Sequence, residues 1–436
     1  MARAGANVTC MSAPAAGAAP PPIRIPAGLT FAALIAGLAL GAVLAGGPAA
    51  EPVLAVAQPV GTLWLRALQM TIVPLVAALL VNGVSRIVAT ASAGAMARRT
   101  LLSFAAVLTV GTVLAAFAMP LLLETFPIPA EAAAALAADM AGEAQPVPGL
   151  GEFFSSLIAP NIIAAAAETA MLPLVIFFVA FALALTRLSP ERSAPLLNLF
   201  AGLADAMLVI IGWVLRIAPV GVFALALTVG VGSGTSAFAA VGHYILLVAS
   251  LGGSVLLAGY ALGAIGGRTS LPHFARAMLP AQAVALSTQS SLASLPAMLQ
   301  SCRILGVRES SADFVLPLAV ALFRATGPVM NLAVAIYVAA LTGIELTPAT
   351  LSIGVAVALV TTIGSVSLPG AISFVTAIAP IALAMGVPIE PLLLLVAVEM
   401  VPDIMRTVGN VTMDVAVTAT VDRHAARGAE AATAEQ

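Results

Sequence analysis

Glu399, Asp403, Arg406, Asn410 and Asp414 lie in EMVPDIMRTVGNVTMD, flanked by LLLLVAV before and VAVTATV after. At roughly 100° per residue of an α-helix, with Glu399 at zero, Asp403 falls at about 40°, Arg406 at about 340°, Asn410 at about 20° and Asp414 at about 60°. Thr407, at about 80°, edges the same stripe. A charged side chain at bilayer depth costs at least ~2.5–3.5 kcal/mol on insertion scales. Three carboxylates and a guanidinium on one face therefore need partners. Either they neutralise one another between packed helices, or they form a site for a charged solute and its coupling cations. A face with a fixed cation and fixed carboxylates suits a zwitterionic or acidic solute.

The surroundings of this stripe are oil. The chain of 436 residues is 61% hydrophobic and 8% charged, against about 25% charged in soluble domains. That marks a polytopic membrane protein with no nucleic-acid partner expected, although the net charge of −2 by itself says nothing on that point. All 17 basic residues are arginine. Cys10 and Cys302 have no metal-ligand spacing and no disulfide framework around them. His243, His273 and His424 are scattered, and each reads as an interfacial residue. Asn7-Val-Thr fits a glycosylation pattern by letters only. Ser287, Ser290 and Ser291 have no His or Lys base nearby in sequence, so the chain does not read as an enzyme.

Taken in order, residues 1–25 form an Ala/Pro/Gly-rich cytoplasmic tail rather than a cleaved signal. Apolar spans follow at 27–46, 60–84 and 100–123, each long enough for a ~30 Å core. An acidic loop covers 124–152. Residues 153–185 form a fourth helix expected to be kinked or in pieces at Pro160 and Pro173. A fifth span covers 196–231 and a sixth 240–265. Arginines at alternate junctions (Arg24; Arg86, Arg98 and Arg99; Arg187 and Arg192; Arg268 and Arg276) place both termini in the cytoplasm and the acidic loop outside. The tail from Arg423 onward reads as loose.

Beyond residue 270 the pattern changes. Two apolar segments are interrupted by small polar residues: VALSTQSSLASLPAML, 284–299, and TTIGSVSLPGAISF, 361–374. Opened backbone at membrane depth is tolerated only where it is buried in protein or lines a wet cavity. Paired interruptions point to a transporter's midplane site. Each segment therefore reads as a re-entrant helical hairpin, the alternative being a flexible span kinked at proline. Arg268/Arg276 and Arg303/Arg308 flank the first, which enters from the cytoplasm; Glu345 and Glu390 flank the second, which enters from outside. A seventh span, 313–341, lies between them, and the eighth carries the ionic stripe. The expected fold is an all-α polytopic membrane protein of eight transmembrane helices plus two re-entrant hairpins, of inverted-repeat transporter type.

These residues carry a resemblance. DIMRTVGNVTMD, Asp403 to Asp414, resembles the eighth-helix signature of the dicarboxylate/amino acid:cation symporters, the glutamate transporter family. STQSSLASLP, Ser287 to Pro296, and SVSLPGA, Ser365 to Ala371, are similar to that family's hairpin tips; MTIVPLV and APVGVFAL add weaker support. The resemblance covers nearly the whole chain from the first span to Thr420. It implies that Asp403 holds a substrate α-amino group, that Arg406 holds a side-chain carboxylate, and that Thr407 and Asn410 add polar contacts. It also implies that Ser290 and Ser291 hold the α-carboxylate and that Pro369 and Gly370, at the tip of the second hairpin that lids the site, are substrate-binding. Glu399, Asn331, Asn410 and Asp414 are the cation-coupling candidates, with Asn410 and Asp414 matching a sodium site. No cofactor is implied beyond Na⁺ as a coupling ion.

One stretch departs from the family. Where relatives carry N-M-D-G-T in the seventh helix, this chain reads ATGPVMNLA, Ala325 to Ala333, with Pro328, Met330 and Leu332 at the polar positions. This puts the sodium stoichiometry in question and makes proton coupling through Glu399 or Asp414 an alternative. Arg324, adjacent to this departure, either compensates a missing cation or snorkels.

The expected function is secondary-active, elevator-type import of acidic amino acids at the plasma (inner) membrane, driven by Na⁺ or H⁺. Residues 266–421 form the transport core, and residues 26–265 form a scaffold that shares its third and sixth helices with that core; residues 422–436 form a cytoplasmic tail. By resemblance the assembly is a homotrimer. The rival readings are a C4-dicarboxylate or cystine symporter of the same fold, and an anion channel or non-transporting solute sensor.

Overall fold

A computed structural model describes residues 27–92, 94–129, 158–233, 236–364, 377–395 and 398–434. The amino-terminal tail, most of the acidic loop, and the second hairpin's tip with Pro369 and Gly370 lie outside the described residues.

Every regular element among the described residues is a helix. In order these are α1 (Ala27–Leu44), α2 (Ala50–Gln69), α3 (Ile72–Ala91), α4 (Ala95–Thr125), α5 (Ile162–Ala167), α6 (Met171–Leu185), α7 (Pro190–Arg216), α8 (Ala218–Ser233) and α9 (Ser236–Ile265). They continue as α10 (Leu271–Thr288), α11 (Leu295–Ile304), α12 (Glu309–Leu322), α13 (Thr326–Leu341), α14 (Pro348–Gly364), α15 (Ala379–Ala384), α16 (Glu390–Leu395) and α17 (Met400–Ala434). Among the described residues five helical stretches are long and apolar enough to cross a membrane by length and composition, and several shorter apolar helices accompany them.

The second span is longer than 60–84. It occupies α2 and α3, 50–91, with a joint at Met70–Thr71 where the Thr71 hydroxyl donates to the Leu68 carbonyl. The fifth is likewise jointed, between α7 and α8 at Ile217. The fourth comes in pieces, α5 and α6, but their joint is a turn at 168–170 with Thr169 at φ 57° rather than Pro173, which lies within α6. The first interruption is a helical hairpin: α10 ends at Gln289, whose left-handed φ of 51° turns the chain, and α11 returns packed against α10. Pro296, at the start of α11, sits where its missing N–H leaves no bond unmade.

Two features differ from expectation. The seventh span is two helices, not one: α12 stops at Leu322, Phe323 turns extended with ψ 95°, and α13 restarts at Thr326. A proline in the first turn of a helix is well tolerated, and Pro328 falls there. The expected loose tail from Arg423 is instead a continuation of α17 as far as Ala434. An i,i+4 run of alanine-rich sequence favours this, because alanine loses no side-chain entropy in a helix. Arg308 also ties the region down, since its Nε donates to Asp422 Oδ1 at 2.7 Å.

Packing places the ionic stripe centrally. α17 is wrapped by α4, α9, α10, α11, α12 and α13. α13 is buried along its entire length apart from Ala340. A helix that is apolar on every side belongs to a core. At the edge of the molecule α1 and α8 touch backbone to backbone. A Cβ on Gly41 would meet the Leu227 carbonyl oxygen at 2.5 Å, and one on Gly37 the Phe223 carbonyl oxygen at 2.6 Å. This Gly-x₃-Gly spacing permits the close approach that drives helix association in lipid.

Candidate functional site

Glu399 stands at the lip of α17 rather than within it, and its carbonyl accepts the Asp403 amide N–H at 2.8 Å. Asp403, Arg406, Thr407, Asn410 and Asp414 then follow down one face of α17, all buried. The helical spacing brings the five groups together as the sequence requires.

Arg406 is 3% exposed and is held by three partners. Its Nη2 donates to Glu399 Oε1 at 2.5 Å, and its Nη1 donates to Asn331 Oδ1 at 2.6 Å. Asp403 Oδ1 lies 3.5 Å from Nε, an ionic contact without an aligned hydrogen bond, so Nε has no hydrogen-bond partner among the described residues. Glu399 is fixed from the other side by the Tyr244 hydroxyl of α9, which donates to Oε2 at 3.0 Å. Removing one member of a buried ion pair strands the other charge at a cost of ~3–5 kcal/mol.

Asn331, expected as a cation group, is thus a partner of Arg406. Thr407 donates its hydroxyl to its own helix at the Asp403 carbonyl, 2.9 Å.

Lower on the face, α13 clasps α17 through Thr326. The Thr326 backbone N–H donates to Asn410 Oδ1 at 2.9 Å. The Thr326 hydroxyl lies 2.9 Å from both that oxygen and the Arg406 carbonyl oxygen. This clasp depends on Gly409, because a Cβ there would meet Thr326 Cγ2 at 2.6 Å. Asp414 is wholly buried, and neither carboxylate oxygen has a hydrogen-bond partner among the described residues; Asn410 Nδ2 likewise has none.

The first hairpin closes against this helix. Ser291 is buried and Ser290 half-buried at its tip. The Ala293 N–H donates to Ser290 Oγ at 3.2 Å, and the Ser294 hydroxyl to the Ser290 carbonyl at 2.9 Å. Gln282 of α10 locks the arm: its Nε2 donates to Thr412 Oγ1 of α17 and to the Tyr260 hydroxyl oxygen, both at 2.9 Å.

Tyr244, Thr326 and Gln282 are partners that the sequence reading did not select. Each carried one signal, a hydrogen-bonding side chain inside an apolar segment, which when buried requires a partner. Arg406 has its carboxylates at the upper end of the stripe, whereas at the lower end Asp414 has no hydrogen-bond partner among the described residues.

Three carboxylates and a guanidinium sharing one buried face can pair with a solute bearing both an anion and an amine. Arginine suits the anion, since its planar fork matches a carboxylate bidentately. The chain matches the sodium:dicarboxylate symporter family over residues 28–424. It is 29% identical over 391 residues to a proton/sodium-glutamate symport protein of Bacillus subtilis (strain 168), covering 88% of each chain. It is 28% identical over 366 residues to the proton/glutamate-aspartate symporter of Escherichia coli (strain K12), covering 81% of this chain and 82% of that one. It is 26% identical over 377 residues to a C4-dicarboxylate transport protein of Laribacter hongkongensis (strain HLHK9), covering 84% and 82%.

Proposed function

Because this chain belongs to the sodium:dicarboxylate symporter family, we propose that it is a cation-coupled importer of acidic amino acids, glutamate or aspartate. It is a transporter and not an enzyme. The relatives named above as glutamate and glutamate-aspartate symporters support the cargo class. The observation that carries the reading is the buried pair Asp403 and Arg406, one turn apart on α17. The carboxylate receives the α-amino group. The guanidinium receives the side-chain carboxylate, exchanging its internal contacts with Glu399 and Asn331 for the solute. Ser290 and Ser291 at the hairpin tip receive the α-carboxylate. Pro369 and Gly370 belong to the lid, and the coupling ion is Na⁺ or H⁺.

Residues 266–421 move as the transport core against the scaffold of residues 26–265, which lends α4 and α9 to that core. This reading is supported by the packing of both helices on α17. The protein is a multi-pass membrane protein of the plasma membrane, with both termini cytoplasmic and three copies assembled.

Uptake of labelled aspartate or glutamate into proteoliposomes, with Na⁺ and H⁺ gradients imposed separately, tests the proposal. Gradient-driven accumulation that Arg406→Ala abolishes is the expected result. No uptake, with Arg406→Ala indistinguishable from wild type, overturns it. A C4-dicarboxylate cargo is the second reading, favoured by the similarity to a C4-dicarboxylate transport protein. Such a solute has no amine and leaves Asp403 without a role in binding.

A further inference from the structure

We propose that Arg324 is a tethered counter-cation for the lower end of the ionic stripe, so that solute binding by this chain does not require Na⁺. The inference rests on the reading of the stripe as the solute site.

Four observations lead to it. Asp414 is wholly buried and neither oxygen has a hydrogen-bond partner among the described residues, so it needs a positive neighbour. Asn410, one turn above it, offers a metal ion little, because its side-chain oxygen is already engaged by Thr326. A backbone N–H only donates, so the amide atom facing the Thr326 N–H at 2.9 Å must be the oxygen. The end of Asn410 left over is then its NH₂, a donor that repels a cation.

The neighbouring wall is also unsuited to one. Pro328, Met330 and Leu332 of α13 are buried and apolar, and the single polar side chain among them, Asn331, has its oxygen on Arg406.

Arg324 stands in the break between α12 and α13, two residues before Thr326. The Thr326–Asn410 clasp therefore fixes the break beside the stripe. Arg324 is thereby held near the face of α17 that carries Asp403 and Asp414. An arginine keeps its charge at any physiological pH and, unlike a mobile ion, cannot leave with the solute. Three carboxylates and two guanidiniums leave one negative charge on the cluster, room for one proton or for the amine of the cargo.

The test uses the purified full-length protein without solute, so that its outcome does not depend on which cargo is carried. Melting midpoints are compared in NaCl and choline chloride at equal ionic strength for wild type, Arg324→Ala, Arg324→Lys and the double variant Arg324→Ala/Asp414→Asn. Wild type and Arg324→Lys are expected to show no Na⁺-specific shift. Arg324→Ala is expected to melt lower and to be rescued, independently of Na⁺, by the added Asp414→Asn change. In uptake, Arg324→Ala in Na⁺-free medium should fall by at least about tenfold, the usual size of a coupling between two sites. Saturable Na⁺-specific stabilisation of wild type overturns the proposal. So does a double variant that melts no higher than Arg324→Ala. Absence of acidic amino acid uptake by wild type, with these melting results intact, refutes the cargo and leaves the tethered cation standing.

Discussion

Glu399 holds Arg406 and Tyr244 at once: Oε1 accepts from the guanidinium at 2.5 Å and Oε2 from the phenol at 3.0 Å. One carboxylate thereby joins α17 to α9 across the centre of the protein. Glu399→Gln is expected to destabilise the fold by ~3–5 kcal/mol, because Arg406 is left buried beside a neutral amide. Tyr244→Phe removes one hydrogen bond to a charged group and is expected to cost ~1.5–3 kcal/mol. Combined, the two should cost less than their sum, since they act on one network. Chemical denaturation of the four proteins checks the cycle, and strict additivity would show the contacts to be incidental.

Arg406 is expected to set the affinity for the carboxylate of the cargo. Arg406→Ala should abolish uptake, and Arg406→Lys should leave at most a few per cent of it, because an ammonium cannot make the paired contact of a guanidinium. Concentration-dependent uptake separates the two variants: a lysine variant that matches wild type would place the solute carboxylate elsewhere.

Asp403 is expected to decide between cargo classes. Asp403→Asn keeps the shape and removes the charge that receives an amine. Competition by glutamate or aspartate should weaken by at least about tenfold in this variant, while competition by succinate is retained or improved. Loss of both to the same degree would assign Asp403 to holding Arg406 instead.

Gly409 is expected to be intolerant for a reason that can be reversed. Gly409→Ala drives a methyl into Thr326 Cγ2 and should cost ~1–3 kcal/mol, the usual range for overpacking. Thr326→Ser removes that Cγ2 and keeps the hydroxyl and N–H that bind Asn410. The double variant Gly409→Ala/Thr326→Ser should therefore recover melting temperature and uptake together. Recovery of neither would mean that the close approach has another purpose.

Much of this was written in the chain. The stripe on α17 was legible because charge is so costly in lipid that few charged residues occur there, and those few must share a face. The first hairpin was legible because Ser-Thr-Gln-Ser-Ser breaks an apolar run that would otherwise span. The break at Phe323–Ala325 was not legible, because Phe-Arg-Ala carries no breaker and the proline that restarts the helix lies three residues beyond. The partners Tyr244 and Thr326 were hidden for a different reason: sequence shows that a hydroxyl needs a partner but not which of many distant helices supplies it. Asn331 was read as a group for the coupling ion because it is the nearest polar side chain left where relatives carry N-M-D-G-T; in the fold its oxygen accepts from the Arg406 guanidinium. The helical end of α17 past Arg423 was missed because Ala/Glu-rich composition fits both a coil and a helix.

The enclosure of α13 limits how such a machine can work. A rod with neighbours on all sides has no free flank along which to swing, so it cannot be the door through which a passenger enters. It can travel only in company with the helices that hold it, keeping their contacts. Doors must be sought among segments with one side open, such as the tip of the first interrupted element.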